Sequence, residues 1–221
     1  MRTHPWSKRL WAAVLGVLVA AQLVASPDVA RKTKAECVAC HNNPAGGAEL
    51  SEAGKAWKPG ARAPATAAKT ASYVGSARCM SCHIKQHRAW TETVHARALT
   101  NLQAADASAV ADMAAKLKIK VAGSPVTTDD CVKCHVTGFQ LAGGYPGADS
   151  AGGAATAAVG CESCHGPGSQ HITARLAEKK KVIHRGSSAG TCKQCHTPVT
   201  SPEFKFEEWV KRGAHPIPVE K

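Results

Sequence analysis

The sequence predicts a mainly α-helical fold with long loops and little or no β-sheet. Three observations support this expectation. Segments with helical composition recur along the chain and are separated by turns rich in glycine, proline and alanine. Aromatic residues make up only 5% of the composition, so side chains alone would form a poor core. All ten cysteines fall in five short units of one pattern, C-x-x-C-H, which indicates that bound groups supply the missing interior.

Each of the five units has two cysteines three residues apart, followed at once by a histidine. This is the attachment pattern of a c-type haem, in which two thiols form thioethers and the imidazole binds the iron. We therefore predict five covalently attached haem c groups and a haem-packed core. The predicted attachment residues are Cys37 and Cys40, Cys79 and Cys82, Cys131 and Cys134, Cys161 and Cys164, and Cys192 and Cys195. The predicted proximal iron ligands are His41, His83, His135, His165 and His196.

Two other classes of site use paired cysteines. Zinc ribbons combine C-x-x-C units into four-ligand sites, which five units cannot do evenly, and they need no histidine after each pair. A thioredoxin-like dithiol needs a βαβ setting, which this sequence does not show. No cysteine is left for a disulfide or a catalytic thiol, and we identify no catalytic residue.

The histidine count extends the haem interpretation. The chain has eleven histidines, of which five are predicted proximal ligands and His4 lies in a predicted signal segment. The other five are candidates for the distal position on the iron: His87, His95, His171, His184 and His215. Five haems and five further histidines fit two imidazoles at every iron. One or two of these residues, His184 above all, could instead lie at the surface.

Residues 81 to about 102 have helical composition without internal glycine or proline, and we expect one continuous helix. On such a helix His83, His87 and His95 would lie along one side, with about 5–6 Å between successive neighbours. His87 could not then reach the opposite face of the porphyrin that His83 binds. We therefore expect His87 and His95 to bind other haems.

Capping and turn residues predict three shorter helices, and recurring apolar residues predict a fourth over residues 106 to 119. They are a helix that Ser51 caps and that runs toward Trp57, a helix over residues 106 to 119, a helix that Ser169 caps and that carries His171, and a last helix opened by Ser201, Pro202 and Glu203 and ended by Gly213. Residues 141 to 160 are a glycine- and alanine-rich loop.

Residues 1–26 are predicted to be a secretory signal peptide. Arg2, Lys8 and Arg9 precede an apolar run over residues 10 to 25, and small residues follow. The run is short for a membrane span, which needs about 20 apolar residues. Export predicts a periplasmic protein. This location fits the cysteines, because c-type haem is attached outside the inner membrane, where free thiols would otherwise be oxidised. An uncleaved segment would instead anchor the protein to the membrane, or the protein could act at the outer surface.

Composition divides the remaining chain into three parts. Residues 27–58 hold the first C-x-x-C-H unit and form a predicted monohaem module. Residues 59–72 are rich in alanine and proline and read as a linker. Residues 73–221 contain the other four units and form a predicted tetrahaem domain.

The net charge of +12 would by itself suggest a nucleic-acid partner. Loss of Arg2, Lys8 and Arg9 with the signal lowers it to +9. Five haems would add ten propionates and five ferric charges, which leaves about +4 in the oxidised protein. Much of the basic excess therefore compensates haem carboxylates, and we predict no nucleic-acid partner.

Several motifs occur together after residue 72: YVGS-x-x-C-x-x-CH, W-x-x-x-x-HA, CHGPG-x-x-H and CHTP-x-x-SPEF-x-F-x-x-W. In this combination residues 73 to 215 resemble the multihaem cytochromes of the cytochrome c554 family. The resemblance implies a mainly helical fold around closely packed haems and a role in electron transfer.

The resemblance also implies roles for four histidines. His87 and His95 would be distal ligands of later haems, His171 would bind the haem of His83, and His215 corresponds to a terminal ligand. The first unit lies outside the matched region, so the resemblance identifies no distal ligand for it. Cytochrome c554 itself has one five-coordinate haem.

Together these observations predict an electron carrier with mostly two-imidazole haems. Its partners would be redox proteins: a membrane or periplasmic dehydrogenase as donor and a terminal reductase as acceptor, or the reverse. One alternative is an enzyme that acts on a small nitrogen oxide or hydroxylamine at a five-coordinate haem, for which the haems of His135 and His41 are candidates. Another is a subunit of a larger haem conduit, which would make the protein an oligomer.

Overall fold

The structure is a computed structural model that describes residues 27–35, 37–43, 46–47, 49–64, 71–147, 153–186, 188–213 and 215. The predicted signal peptide lies outside the described residues, as does part of the predicted linker. Among the described helices, none combines the length and the apolar character needed to cross a bilayer.

Short helices and turns make up the fold, as the sequence predicts. Where the structure describes the chain, its β-structure is limited to an isolated antiparallel bridge between His41 and Leu50. The α-helices are α1 Pro27–Thr33, α2 Glu52–Ala56, α3 Ser76–Met80, α4 Ile84–Thr91, α5 Ala98–Gln103, α6 Ala107–Leu117, α7 Asp129–Val132, α8 Cys161–His165, α9 Ser169–Thr173, α10 Ala189–Cys192 and α11 Phe206–Gly213. One-turn 3₁₀ helices lie at Cys37–Ala39, His95–Arg97, Pro125–Thr127, Ala154–Thr156 and Lys179–Lys181.

The prediction of one continuous helix over residues 81 to 102 is wrong. This stretch forms α4, the 3₁₀ turn His95–Arg97 and α5. At the end of α4 the hydroxyl of Thr91 donates to the carbonyl of Arg88 at 2.6 Å, and the hydroxyl of Thr93 donates to that of Trp90 at 2.7 Å. Such side-chain bonds compete with continuation of the helix.

This break changes the placement of three candidate ligands. His83 precedes the first residue of α4, His87 lies within α4, and His95 begins the 3₁₀ turn. The three imidazoles therefore do not share one face of one helix, and each can serve a different site.

Helices α2 and α6 confirm two of the predicted helices. The hydroxyl of Ser51 accepts from the backbone N–H of Gly54 at 3.1 Å, which caps α2. The carboxylate of Asp106 accepts from the N–H of Ser108 at 2.8 Å, which caps α6. Lys118 then ends α6 in the left-handed region, at φ 55°.

Two predicted helix starts are wrong because the serine serves another partner. Gly168, not Ser169, precedes α9, and the hydroxyl of Ser169 accepts from the N–H of Ser72 at 2.8 Å. Helix α11 starts at Phe206 and not at Ser201, whose hydroxyl lies 2.9 Å from Nδ1 of His196.

The apolar core is small. Leu102, Val132, Val136 and Phe139 are buried together, and four partly buried side chains surround them. This cluster joins α5 and α7 to the chain that follows the third C-x-x-C-H unit. The eleven short helices that the structure describes cannot be held by so few side chains alone, because helices of this length are marginal in isolation.

A buried carboxylate joins the chain around the fourth unit to a segment far away in the sequence. Glu162 lies in α8, between Cys161 and Cys164, and only 3% of its surface is exposed. Its oxygens accept from the N–H of Val74 at 2.9 Å, of Gly75 at 2.8 Å and of Gly168 at 2.7 Å. Burial raises the pKa of Glu162 and these N–H donors lower it, the effect of burial being larger. The fourth unit is thereby fixed to the chain that precedes the second unit.

The segment just before α8 is also tied to the other units. The hydroxyl of Thr137, two residues after His135, accepts from the N–H of Gly160 at 2.8 Å. The indole N–H of Trp90 donates to the carbonyl of Val159 at 3.0 Å. Residues 159 to 162 therefore connect α4, the third unit and the fourth unit.

The N-terminal part contacts the rest of the protein. The Arg31 guanidinium lies 5.5 Å from the ring centroid of Phe139. The turn at Gly46 and Gly47 lies against residues 188 to 194. The division into a monohaem module, a linker and a tetrahaem domain stays a prediction.

We expect Glu162→Ala to lower the free energy of unfolding by about 3 kcal/mol or more, because each buried backbone donor that loses its acceptor costs about 1–3 kcal/mol. Glu162→Gln keeps one acceptor oxygen and should lose less. Urea unfolding of the cofactor-loaded protein measures the difference, with the exposed Glu203→Ala as control. Equal unfolding midpoints for Glu162→Ala and the wild type would show that the carboxylate does not hold these segments.

Candidate haem sites

The C-x-x-C-H units fold into single tight turns. In four of them the N–H of the second cysteine donates to the carbonyl of the first, at 3.1 to 3.4 Å: Cys40 to Cys37, Cys82 to Cys79, Cys134 to Cys131 and Cys195 to Cys192. The fourth unit is helix α8. Residues three and four apart on such a turn lie on one side, so both thiols and the imidazole face the same space. None of the ten cysteines forms a disulfide.

Three pairs of imidazole rings lie at nearly the same separation. The ring centroids of His83 and His171 are 6.1 Å apart, with 26° between the planes. Those of His165 and His215 are 6.0 Å apart at 18°, and those of His95 and His196 are 6.1 Å apart at 59°. In each pair one histidine belongs to a C-x-x-C-H unit and the other does not.

This separation suits two imidazoles on opposite sides of one metal ion. A metal–nitrogen bond of about 2.0 Å on each side, plus about 1.1 Å from nitrogen to ring centroid, gives roughly 6.2 Å. Flat groups in direct contact would lie about 3.5–4 Å apart. The paired rings therefore fit a haem iron held between them.

Hydrogen bonds fix the orientation of several of the candidate iron-binding imidazoles. Nδ1 of His135 donates to the carbonyl of Ala98 at 2.9 Å, and Nδ1 of His165 donates to the carbonyl of His184 at 2.7 Å. Because a carbonyl only accepts, Nδ1 carries the proton and Nε2 is left with the lone pair that binds metal.

The same pattern holds for a histidine outside the units. Nδ1 of His171 donates to the carbonyl of Lys179 at 2.9 Å, and the Lys179 ammonium donates back to the carbonyl of His171 at 2.7 Å. Lys179 thus fixes both the ring and the backbone of His171. The ring nitrogen Nε2 takes no part in these bonds.

Burial favours the form of histidine that binds metal. It lowers the pKa of His165, with His215 and His184 adding to the effect, while the bond to the His184 carbonyl opposes it. It also lowers the pKa of His196, with a smaller contribution from His95. Both imidazoles are therefore kept neutral, as metal ligation requires.

Thiols from different units lie side by side. The thiols of Cys79 and Cys161 are close enough to interact, and this interaction lowers the pKa of Cys161 to about 6 and raises that of Cys79. The interaction of Cys195 with Cys134 likewise raises the pKa of Cys195. The second and fourth units are therefore neighbours, and so are the third and fifth. Sequence reasoning did not find these neighbours, because no local signal encodes them.

The two remaining candidate ligands have different surroundings. His87 lies on α4 against Trp90, with 5.4 Å between ring centroids, and lines a cavity of about 300 Å³ together with Ser76, Thr137 and Gly160. His184 lies between the 3₁₀ helix Lys179–Lys181 and α10. Its Nε2 is buried without a hydrogen-bond partner. Among the described residues, neither of these rings faces another imidazole at the separation of 6.0 to 6.1 Å found in the three pairs.

Comparison with known proteins identifies the family. The family model described as "Cytochrome c554 and c-prime" matches residues 78–166, which span the second, third and fourth units. Cytochrome c-554 of Nitrosomonas europaea is 40% identical to this chain over 180 residues, which cover 65% of this chain and 74% of that protein. This chain belongs to the cytochrome c554 family.

A solved structure agrees with this family assignment. The reduced state of cytochrome c554 from Nitrosomonas europaea matches the fold with a TM-score of 0.51 and 28% identity, over 66% of this chain and 86% of that one. Membership of the cytochrome c554 family implies covalently bound haem c, electron transport and redox partner proteins. The first unit, at Cys37, lies outside the part of the chain that the family model matches.

Proposed function

We propose that this cytochrome c554 relative is a periplasmic pentahaem protein that transfers electrons between redox partners. The observation that carries the proposal is the set of three imidazole pairs at 6.0 to 6.1 Å. We assign His171, His215 and His95 as the distal ligands opposite His83, His165 and His196. All ten cysteines serve as attachment residues and all five unit histidines as proximal ligands.

A haem iron with two axial imidazoles has no vacant position and exchanges single electrons without binding substrate. The protein's residues determine how such sites are held. Hydrogen bonds at Nδ1 orient the rings of His165 and His171, and burial keeps His165 neutral. Fixed ligands limit the rearrangement that accompanies a change of charge, which suits an electron carrier.

The contacts between thiols support transfer from site to site. Cys79 interacts with Cys161, and Cys134 with Cys195, so the attachment points of different units are neighbours. Electrons therefore need to cross only short distances inside the protein. A carrier with several adjacent sites can accept electrons at one surface and release them at another.

The number of histidines available as axial ligands favours transport over catalysis. Once three pairs are assigned, the proximal residues His41 and His135 remain, and so do the candidates His87 and His184. Every iron can therefore be given two imidazoles. Support for a periplasmic location comes from the signal-like residues 1–26 and from the need to keep ten thiols reduced until haem is attached.

We expect the mass of the mature protein, produced in a host that attaches haem c, to exceed that of the polypeptide by five haems. The reason is that each C-x-x-C-H unit has the same local turn. Intact mass spectrometry measures the number and also shows whether residues 1–26 are removed. The control Cys37→Ser with Cys40→Ser should carry four haems. Four or fewer haems in the wild type would contradict the pentahaem assignment.

We expect His171→Ala to convert about one fifth of the ferric iron from low spin to high spin, because the iron opposite His83 loses one of its two strong ligands. Electron paramagnetic resonance of the oxidised protein measures this change. Thr173→Ala, an exposed substitution on the same helix, should leave the spectrum unchanged. An unaltered low-spin spectrum for His171→Ala would remove this ligand assignment.

One site lies at a basic surface. The second C-x-x-C-H unit lies between α3 and α4, which carry the exposed basic side chains of Arg78, Lys85 and Arg88. We call these three residues the basic rim. A partner with acidic residues around its own redox centre would complement this surface.

We expect replacement of Lys85 and Arg88 by glutamate to slow electron transfer from an acidic redox protein by roughly tenfold at low salt, because charge steering is lost. Stopped-flow rates at several ionic strengths measure this effect and its screening. Replacement of the exposed Lys116 and Lys120 by glutamate, which changes the net charge equally, should have a smaller effect. If both variants slow transfer equally, net charge governs docking and the basic rim does not.

A further inference from the structure

His184 has a buried nitrogen whose partner the polypeptide does not supply. Its backbone is fixed on the fourth unit: its N–H donates to the carbonyl of His165 at 3.1 Å, and its carbonyl accepts from Nδ1 of His165 at 2.7 Å. Its Nε2 is nevertheless buried without a hydrogen-bond partner. Because a buried unsatisfied nitrogen is costly, its position points to a ligand.

The neighbouring fourth site does not need His184. The ring of His165 already faces that of His215 at 6.0 Å. His83 faces His171, and His196 faces His95, at the same separation. Among the proximal histidines, this leaves His41 and His135.

The first unit lies beside the segment that follows His184. A Cβ atom on Gly46 would lie 3.0 Å from Nε2 of Gln194 and 3.8 Å from Sγ of Cys37. A Cβ atom on Gly47 would lie 3.5 Å from the hydroxyl of Thr191 and 3.6 Å from that of Ser188. Both glycines have positive φ, 81° and 111°, so the turn after His41 can approach this segment closely.

His87, in contrast, lies on the side of the third unit. The cavity that it lines includes Thr137, two residues after His135, and Gly160. Residues of the first unit do not take part in this lining. The segment that follows His184 therefore contacts the turn after His41, whereas the cavity of His87 lies beside residues that follow His135.

We propose that His184 is the distal ligand of the haem attached at Cys37 and Cys40, opposite His41. This inference rests on the proposed five-haem function and adds a link that family membership does not supply. The ligand of the first site then comes from the body of the protein, between the fourth and fifth units. The N-terminal unit is held in place by coordination as well as by the turn at Gly46 and Gly47.

The test uses the full-length protein with haem attached. Whole-protein mass is measured first, so that fewer than five haems would count against the proposed function and not against this assignment. In His184→Ala we expect about one fifth of the ferric iron to become high spin by electron paramagnetic resonance. Lys180→Ala, an exposed change four residues earlier, is the matched control and should stay low spin.

A combined variant identifies the affected site. Cys37→Ser with Cys40→Ser removes the first attachment site, and His184→Ala added to it should then produce no high-spin iron. A high-spin signal that persists in the combined variant would overturn the assignment, since His184 would then serve another iron. An entirely low-spin His184→Ala would overturn it as well.

A second substitution covers failure of His184→Ala to fold. His184→Met offers a weaker axial ligand, and a methionine partner raises the potential of a haem iron. We expect a redox titration to show one of five potentials raised, and only four unaltered potentials in the variant that also lacks Cys37 and Cys40. Five unchanged potentials in His184→Met would overturn the assignment.

Discussion

The fold is constrained by how little apolar surface its own side chains bury. Among the described residues the longest helix has 11 residues, and the core cluster consists of Leu102, Val132, Val136 and Phe139 with a few neighbours. Isolated helices of this length are marginal, and small cores need additional links. In the cytochrome c554 family these links include covalently bound haem c. Folding and cofactor attachment are therefore coupled, as in small metal-dependent domains.

Polar contacts complement that coupling by setting which units become neighbours. Glu162 accepts hydrogen bonds from three backbone N–H groups, two just before the second unit and one just after the fourth unit. Thr137 and Trp90 bind the chain just before α8. These bonds are directional, whereas apolar contact is not, so they specify relative position and not only compactness. The contacts between the thiols of Cys79 and Cys161 follow from this arrangement.

The sequence predicts the local parts of this protein well. The turn within each C-x-x-C-H unit, the Ser51 cap of α2 and the helix from Ala107 to Leu117 all depend on residues close in the chain. Two errors in helix starts share one cause: a side chain that looks like a helix signal is used elsewhere. Ser169 binds Ser72, and Ser201 binds His196.

Which histidine faces which could not be derived from spacing. The partners His165 and His215 are far apart in the sequence and belong to unrelated local patterns. Their contact depends on the whole path of the chain between them, including the turn at Gly166, which has a φ of 80°. The resemblance to a family gives such pairings only where the family has an equivalent site, and it gives none for the first unit.

The attachment of this first unit illustrates how a site can be added to an existing set. Its described contacts with the body include a close approach at Gly46 and Gly47, and the preceding helix α1 adds the Arg31 guanidinium on Phe139. A cation–π contact contributes about 0.5–2 kcal/mol, and a glycine turn buries little apolar surface. Each of these contacts by itself adds little to the attachment of the unit. An axial ligand supplied by the body would strengthen this attachment, and it would need no change to the interior that the other four units share.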